Sequence, residues 1–170
     1  LINKPRRVLV SRSDPEGRKT VYDLLPKKLH ALKPVGRLDY NSQGALLMTN
    51  DGDLILKLTH PRYHFEKTYE VKLSSHPDKR QLDRLMAGVI LDGVRTLPAT
   101  VKVIKKFQTS TILKFVLTEG KNRQIRRMCE EVGLTVKELK RVSIGPVHIK
   151  KLRSGAHREL TISEMKKLQQ

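Results

Sequence analysis

Apolar positions along this chain fall into short alternating runs more often than into helical stripes. Tyr69, Val71 and Leu73 alternate with polar residues and predict a strand over 68–73 with one face inward. Ala99, Val101 and Val103 predict another, and Leu113, Phe115 and Leu117 a third. The segment 136–149 reads as mainly extended, broken by Gly145-Pro146. Ile2, Val8 and Val10 suggest an opening strand region interrupted by Pro5, and Val35 to Asp39 is predicted to be extended. Ala45-Leu46-Leu47-Met48 is a continuous apolar run, as expected of a buried strand.

Helices are fewer. Val21 to Leu25 predicts a short one closed by Pro26, after a turn at Asp14 to Arg18. Asn50 or Asp51 can cap a helix carrying Leu54 and Leu58. Pro77 suits a first helical position, and Leu82, Leu85, Met86, Val89 and Ile90 follow with helical spacing. Lys121 to Val132 predicts a helix ended by Gly133, and Ser163 can cap a last one holding Met165 and Leu168. Strands outnumber helices without regular β-α alternation. The expected class is therefore α+β, with a largely antiparallel sheet flanked by helices. No Pro/Gly-rich linker divides the chain, so any lobes must share one sheet or a tight interface.

The 170 residues suffice for one compact domain or two fused lobes, and 38% of them are hydrophobic. No apolar run is long enough to span a bilayer. The start, Leu1-Ile2-Asn3-Lys4-Pro5, is neither a signal peptide nor an initiating Met, so an upstream segment is expected. Charge changes the picture most. There are 35 Lys+Arg against 17 Asp+Glu, a net +18. Self-repulsion on that scale points to a polyanionic partner, and nucleic acid supplies phosphates along its whole length. Aromatic residues are scarce, at 4% with no Trp, which argues against a passive single-strand binder built on stacking platforms.

Metal chemistry finds no support. His30, His60, His64, His76, His148 and His157 are scattered, Pro61 breaks the helical spacing of His60 and His64, and Cys129 is the single cysteine. One cysteine is also compatible with a reducing cytoplasm. No phosphate-cradling P-loop motif occurs. Three places hold candidate chemistry. Arg37 and Asp39 of Gly36-Arg37-Leu38-Asp39 would share a face on an extended segment; taken alone, Asp39 reads more readily as an ordinary turn residue than as a working carboxylate. In the helix from Lys121, Ile125, Met128, Cys129 and Val132 form an apolar stripe, with Arg123 and Arg127 opposite and Arg126 at the border. Arg126 can reach inward to a half-buried carboxylate, where a guanidinium fork binds both oxygens. Tyr69 shares its face with core residues yet can leave its hydroxyl in a cleft.

These residues carry a resemblance. Gly36-Arg37-Leu38-Asp39 with Gly44 and Thr49-Asn50-Asp51-Gly52 resembles the catalytic motif of the RsuA/RluB/RluE/RluF family of pseudouridine synthases. Lys67-Thr68-Tyr69-Glu70-Val71 is similar to its tyrosine motif, and Glu119 to Met128 to its basic motif. Arg141 with Ile144-Gly145 follows in order, and the likeness runs from Asn3-Lys4-Pro5 to near the C-terminus. Two positions depart from the usual pattern: Arg7, where members often have Gly, and Ala45, where they often have Leu.

The resemblance implies a pseudouridine synthase fold of two lobes with a central cleft. Residues 1–170 would be the catalytic domain, with an S4-like RNA-binding domain expected upstream. The implied reaction is isomerisation of uridine to pseudouridine within RNA, without cofactor or metal. Asp39 would be the nucleophile at the ribose C1′, or would assist departure of uracil with formation of a glycal; attack on the base is a third route. Tyr69 would pack on the target base and Arg126 would pair with Asp39. Arg37, Asn122, Arg123, Gln124 and Arg127 would meet RNA, and Leu139 would line the base pocket. The target must leave its stack for its glycosidic bond to be reached. The basic motif resembles members acting on large-subunit ribosomal RNA. A cytoplasmic monomer is the expected form. The alternative is a non-catalytic RNA-binding or ribosome-assembly module that kept the fold; a carboxylate-pair hydrolase lacks a second carboxylate in a matching motif.

Overall fold

A computed structural model describes residues 1–170. Its first half contains β1 (Ile2–Lys4), β2 (Lys33–Pro34), β3 (Gln43–Leu46), β4 (Met48–Thr49), α1 (Gly52–Thr59), β5 (Lys67–Leu73) and α2 (Lys79–Ala87). Then follow β6 (Ile90–Leu91), β7 (Val94–Arg95), β8 (Thr100–Lys106), β9 (Thr111–Leu117), α3 (Gln124–Glu131), β10 (Val136–Ile144), β11 (Val147–His148) and α4 (Ile162–Gln169). Seven strands make one sheet in the order β1-β3-β10-β5-β9-β8, with β11 folded back on β10. Every pairing in it is antiparallel except that of β3 with β10, which is parallel. The molecule is α+β, as the pattern predicts.

Two halves share this sheet. In one, Val71, Leu113 and Phe115 of the central strands pack under Leu85 of α2 and Met128 and Cys129 of α3. Each of these side chains is fully buried, and burial of one such side chain contributes about 2 kcal/mol. In the other, Ala45 and Ile144 pack with Leu58 of α1 and Leu168 of α4. A smaller cluster joins Ile2, Val8, Val21 and Leu46. The junction between the halves is the parallel pair, where Gly44 lies opposite Arg141.

Several local expectations are corrected. Val35 to Asp39 is not extended: Gly36 takes φ +69°, outside the range other residues favour, and no strand covers 35–39. The apolar run 45–48 divides, because β3 ends at Leu46 while Met48 joins β4 in a small ribbon with β2. Val8 and Val10 lie outside any strand; the chain turns at Arg7, which takes φ 59°. That left-handed residue stands where relatives of the resembled family often have Gly, and its N–H donates to the Tyr40 carbonyl at 2.7 Å.

Helix starts move for capping reasons. Helix α2 begins at Lys79, after Pro77, because Asp78 accepts from the Gln81 N–H while its own N–H donates to Gln81 Oε1. Thr161, not Ser163, caps α4 through the same reciprocal arrangement with Glu164. Helix α3 begins at Gln124 rather than Lys121, behind the left-handed Arg123. The stripe predicted through Val89 and Ile90 is cut at Ala87, and Ile90 ends 55% exposed in the β6–β7 hairpin.

Candidate active site

The segment carrying Asp39 is anchored from within. Leu38 is buried in the larger core, leaving the exposed Arg37 and the half-buried Asp39 on either side of it. The Ser42 N–H closes the following turn on the Asp39 carbonyl at 3.0 Å. Together with the Arg7–Tyr40 bond, this pins the loop on the C-terminal side of the carboxylate, while the buried Leu38 holds it on the other. None of the chain's ion pairs involves Asp39.

Asp39 opens onto a cavity of about 300 Å³ at the junction of the halves. Its walls are the 35–39 segment with Ser42, Lys67 and Tyr69 of β5, Leu117, the 119–125 segment, and Arg141 and Ile144 of β10. Strand register explains the far wall. Tyr69 lies directly across from Arg141 and Lys67 across from Ile144, so all four side chains share one face. Tyr69 is 8% exposed, its ring in the core and its hydroxyl in no hydrogen bond with protein. Five cationic side chains line the cavity (Arg37, Lys67, Lys121, Arg123, Arg141) against two acidic ones (Asp39, Glu119).

Glu119 is already committed. Its Oε1 accepts from the Leu97 N–H at 2.9 Å and from Gln124 Nε2 at 2.5 Å. The Gln124 Oε1 in turn accepts from the Lys121 N–H at 2.9 Å. This buried clamp shapes the turn 120–123, pushes Arg123 into its left-handed conformation and delays the helix. Gln124, expected at the RNA, is 4% exposed, and both ends of its amide serve this clamp. Asn122 and Arg123 are exposed on the cavity rim. Arg127 lies outside the cavity, paired with Asp92 at 2.6 Å.

Arg126 and Asp39 form no ion pair. Arg126 reaches inward as its border position suggested, but Nη1 donates to the Val136 carbonyl at 3.1 Å, and Nε has no partner. Burial and the neighbouring Arg123 lower its pKa, while the Asp39 charge opposes that shift. A lysine joins them. Lys4 is fully buried, and its Nζ donates to the carbonyls of Val8 at 2.7 Å and Pro5 at 2.9 Å. Burial brings its pKa down to about 8, again opposed by Asp39. Leu139 sits in the core with Tyr69 and is not among the cavity walls. Lys4, Ser42, Lys67 and Arg141 are given no site role by the sequence, although Lys67 and Arg141 fall within the resembled motifs. For Lys67 and Arg141 the available signal is a cation at an inward position of a buried strand.

No group of three or more His, Cys, Asp or Glu side chains gathers anywhere in the chain. No helix is long and apolar enough to cross a membrane. The site is thus a carboxylate beside an aromatic wall, in a pocket biased towards anions.

The sequence matches the RNA pseudouridylate synthase family model over residues 1–131, and the chain belongs to this family. It is 42% identical over 171 residues to ribosomal large subunit pseudouridine synthase B of Bacillus subtilis (strain 168), covering 99% of this chain and 70% of that protein. It is 37% identical over 177 residues to ribosomal large subunit pseudouridine synthase E of Vibrio vulnificus (strain CMCP6), covering 95% and 74%. A crystal structure of a pseudouridylate synthase superposes with a TM-score of 0.89 at 31% identity, covering 98% of this chain and 71% of that one. The chain is accordingly an RNA pseudouridine synthase with the two-halved sheet of that fold.

Proposed function

We propose that the protein isomerises uridine to pseudouridine in large-subunit ribosomal RNA, with Asp39 as the reacting carboxylate. The observation that carries this is the Asp39 side chain, free of any ion pair, in a cavity whose wall includes Tyr69 and whose lining has five cations against two acids. The relatives named for synthesis of pseudouridine in the large ribosomal subunit support the choice of RNA. Residues 1–170 act as the catalytic domain, as a monomer, in the cytoplasm.

The target nucleotide leaves its stack and enters the cavity base first. Tyr69 packs on the base at small entropic cost, having few rotatable bonds. Asp39 then forms a bond to C1′ or takes the C2′ proton as uracil departs. Arg126 and Lys4 add positive potential near the carboxylate. Arg37, Asn122 and Arg123 hold the strand at the rim, giving affinity without reading sequence. Arg127 adds charge outside the cavity, Gln124 shapes the rim, and Leu139 supports the base pocket from beneath Tyr69.

The test incubates the protein and its Asp39→Asn variant with unmodified large-subunit ribosomal RNA and maps new pseudouridine. Asn is isosteric but cannot act as nucleophile or base. The expected result is modification by the native protein, none by the variant, and RNA affinity within about twofold. Full activity in Asp39→Asn would sink the assignment.

A further inference from the structure

Three buried side-chain atoms in this protein have no hydrogen-bond partner: Ser42 Oγ, Arg126 Nε and Arg141 Nη2. Native proteins rarely leave such atoms unpaired, because each forfeits its hydration without return. Two of the three residues, Ser42 and Arg141, line the Asp39 cavity. Ser42 is 1% exposed and Arg141 is 4% exposed. Arg141 is tethered through its Nε, which donates to the Ala45 carbonyl at 2.7 Å, while its Nη2 is buried without a partner. No carboxylate neutralises it. Lys67, a diagonal neighbour on the same face, adds a second cation whose amine is spent on the Phe65 carbonyl.

We infer that the Arg141 guanidinium and the Ser42 hydroxyl form an anion-stabilising site for the uracil ring as it separates from the ribose. The inference rests on the uridine isomerisation proposed above. Breaking the C1′–N1 bond leaves both electrons on the ring, so uracil departs as a monoanion with charge spread over N1 and its two carbonyl oxygens. The sugar is satisfied at Asp39, either by a carboxylate C–O bond at C1′ or by transfer of the C2′ proton to the carboxylate. The ring then turns, and C5 forms the new bond to C1′. As it does so, the ester oxygen leaves or the proton returns to C2′. The C5 proton is finally lost to solvent or a base, and N1 gains one. No net charge or electron is transferred, so the transient anion is what a preorganised donor pair can favour.

Position selects the base over a phosphate as the ligand. Arg141 lies directly across from Tyr69 on the cavity floor, where the base is packed. The rim, by contrast, offers the exposed Arg37 and Arg123 to the strand backbone. A phosphate stays with the strand at the rim, whereas only the base enters. Lys67, brought to about 8 by burial and by the Arg141 charge, reports that this corner holds positive potential without compensation.

The experiment compares two large-subunit ribosomal RNA transcripts, one made with uridine and one with 6-azauridine. The extra ring nitrogen withdraws electrons and makes the base a better-stabilised leaving anion, while C5 keeps the hydrogen that the last step loses, so the substitution relieves a missing anion site. Single-turnover rates are read by nucleoside chromatography, with RNA affinity measured separately. Arg141→Gln is expected to slow uridine conversion on the order of 100-fold with nearly unchanged affinity, and the deficit is expected to shrink about tenfold on the azauridine RNA. Ser42→Ala should show a smaller deficit with the same relief. Equal deficits on both transcripts, or a loss confined to affinity, would overturn the inference. If Arg141→Gln fails to fold for want of the Ala45 tether, Arg141→Lys and Ser42→Ala carry the same comparison. A native protein that converts neither transcript overturns the proposed function itself, and this inference with it.

Discussion

Gly44 and Arg141 face each other across the single parallel pairing in the sheet, and a Cβ on Gly44 would fall 2.1 Å from the Arg141 carbonyl oxygen. Gly44 also takes φ +110°, a conformation other residues strongly disfavour. The contact joins the two halves of the protein at the floor of the cavity. Its closeness sets where Arg141, and with it the wall shared with Tyr69, stands relative to the Asp39 loop.

Gly44→Ala is therefore expected to force the strands apart at the site. The stability loss should be about 3 kcal/mol, from a contact with rigid backbone on top of a strained φ. Urea unfolding measures it, and activity should fall further than the residual folded fraction explains. A variant as stable and active as the native protein would show that β3 can shift freely against β10.

Removal of the Glu119 carboxylate should loosen the turn that presents Asn122 and Arg123. Glu119→Ala strands the Leu97 N–H and the Gln124 amide in a buried setting. A loss of about 2 kcal/mol in unfolding free energy is expected. RNA affinity should weaken while the rate at saturating RNA changes less, since the rim rather than the carboxylate is disturbed. A selective loss of that rate with intact affinity would assign Glu119 a part in the chemistry.

Lys67 gives a pH signature. Its folded pKa is about 8, against an ordinary value of 10.5, because burial and then the Arg141 charge disfavour its charged form. Between these values the unfolded chain binds more protons, so stability rises with pH. The penalty of the charged amine is full below about pH 8 and is gone above about 10.5. Relative to Lys67→Gln, the native protein should gain stability across this window in paired denaturation curves. Parallel curves would place Lys67 in water. Lys4, lowered in the same way, is common to both proteins and cancels in the comparison.

Much of the scaffold was legible in the sequence. The alternation of Tyr69, Val71 and Leu73 and of Leu113, Phe115 and Leu117 gave two central strands, because period-two burial follows from the pleat itself. The apolar stripe of α3 is equally local in origin. Helix starts were less legible, since Pro77 and Ser163 competed with neighbours whose side chains closed reciprocal caps. The path of residues 35–39 was misjudged because the fold of that loop is set by partners distant in sequence: the core around Leu38 and the Arg7 turn. Asp39 and Tyr69, which the structure brings to one cavity, were singled out as members of ordered motifs; Arg126 was singled out too, but for an ion pair with Asp39 that does not form. The turn of Gln124 into a clamp was not legible, because an amide followed by arginines reads as an RNA-facing group until its buried partners are known.

By itself, then, the sequence determined the central strands, the apolar faces of the helices, the basic balance and the identity of the motif residues, all of which depend on near neighbours or on composition. Tertiary structure alone decided that Lys4 is fully buried, that Arg126 bonds the Val136 carbonyl and forms no ion pair with Asp39, and that Arg141 lines the cavity with an unpartnered Nη2. These depend on packing between segments as distant as Ala45 and Arg141, and on the desolvation that packing imposes. No spacing along the chain encodes either.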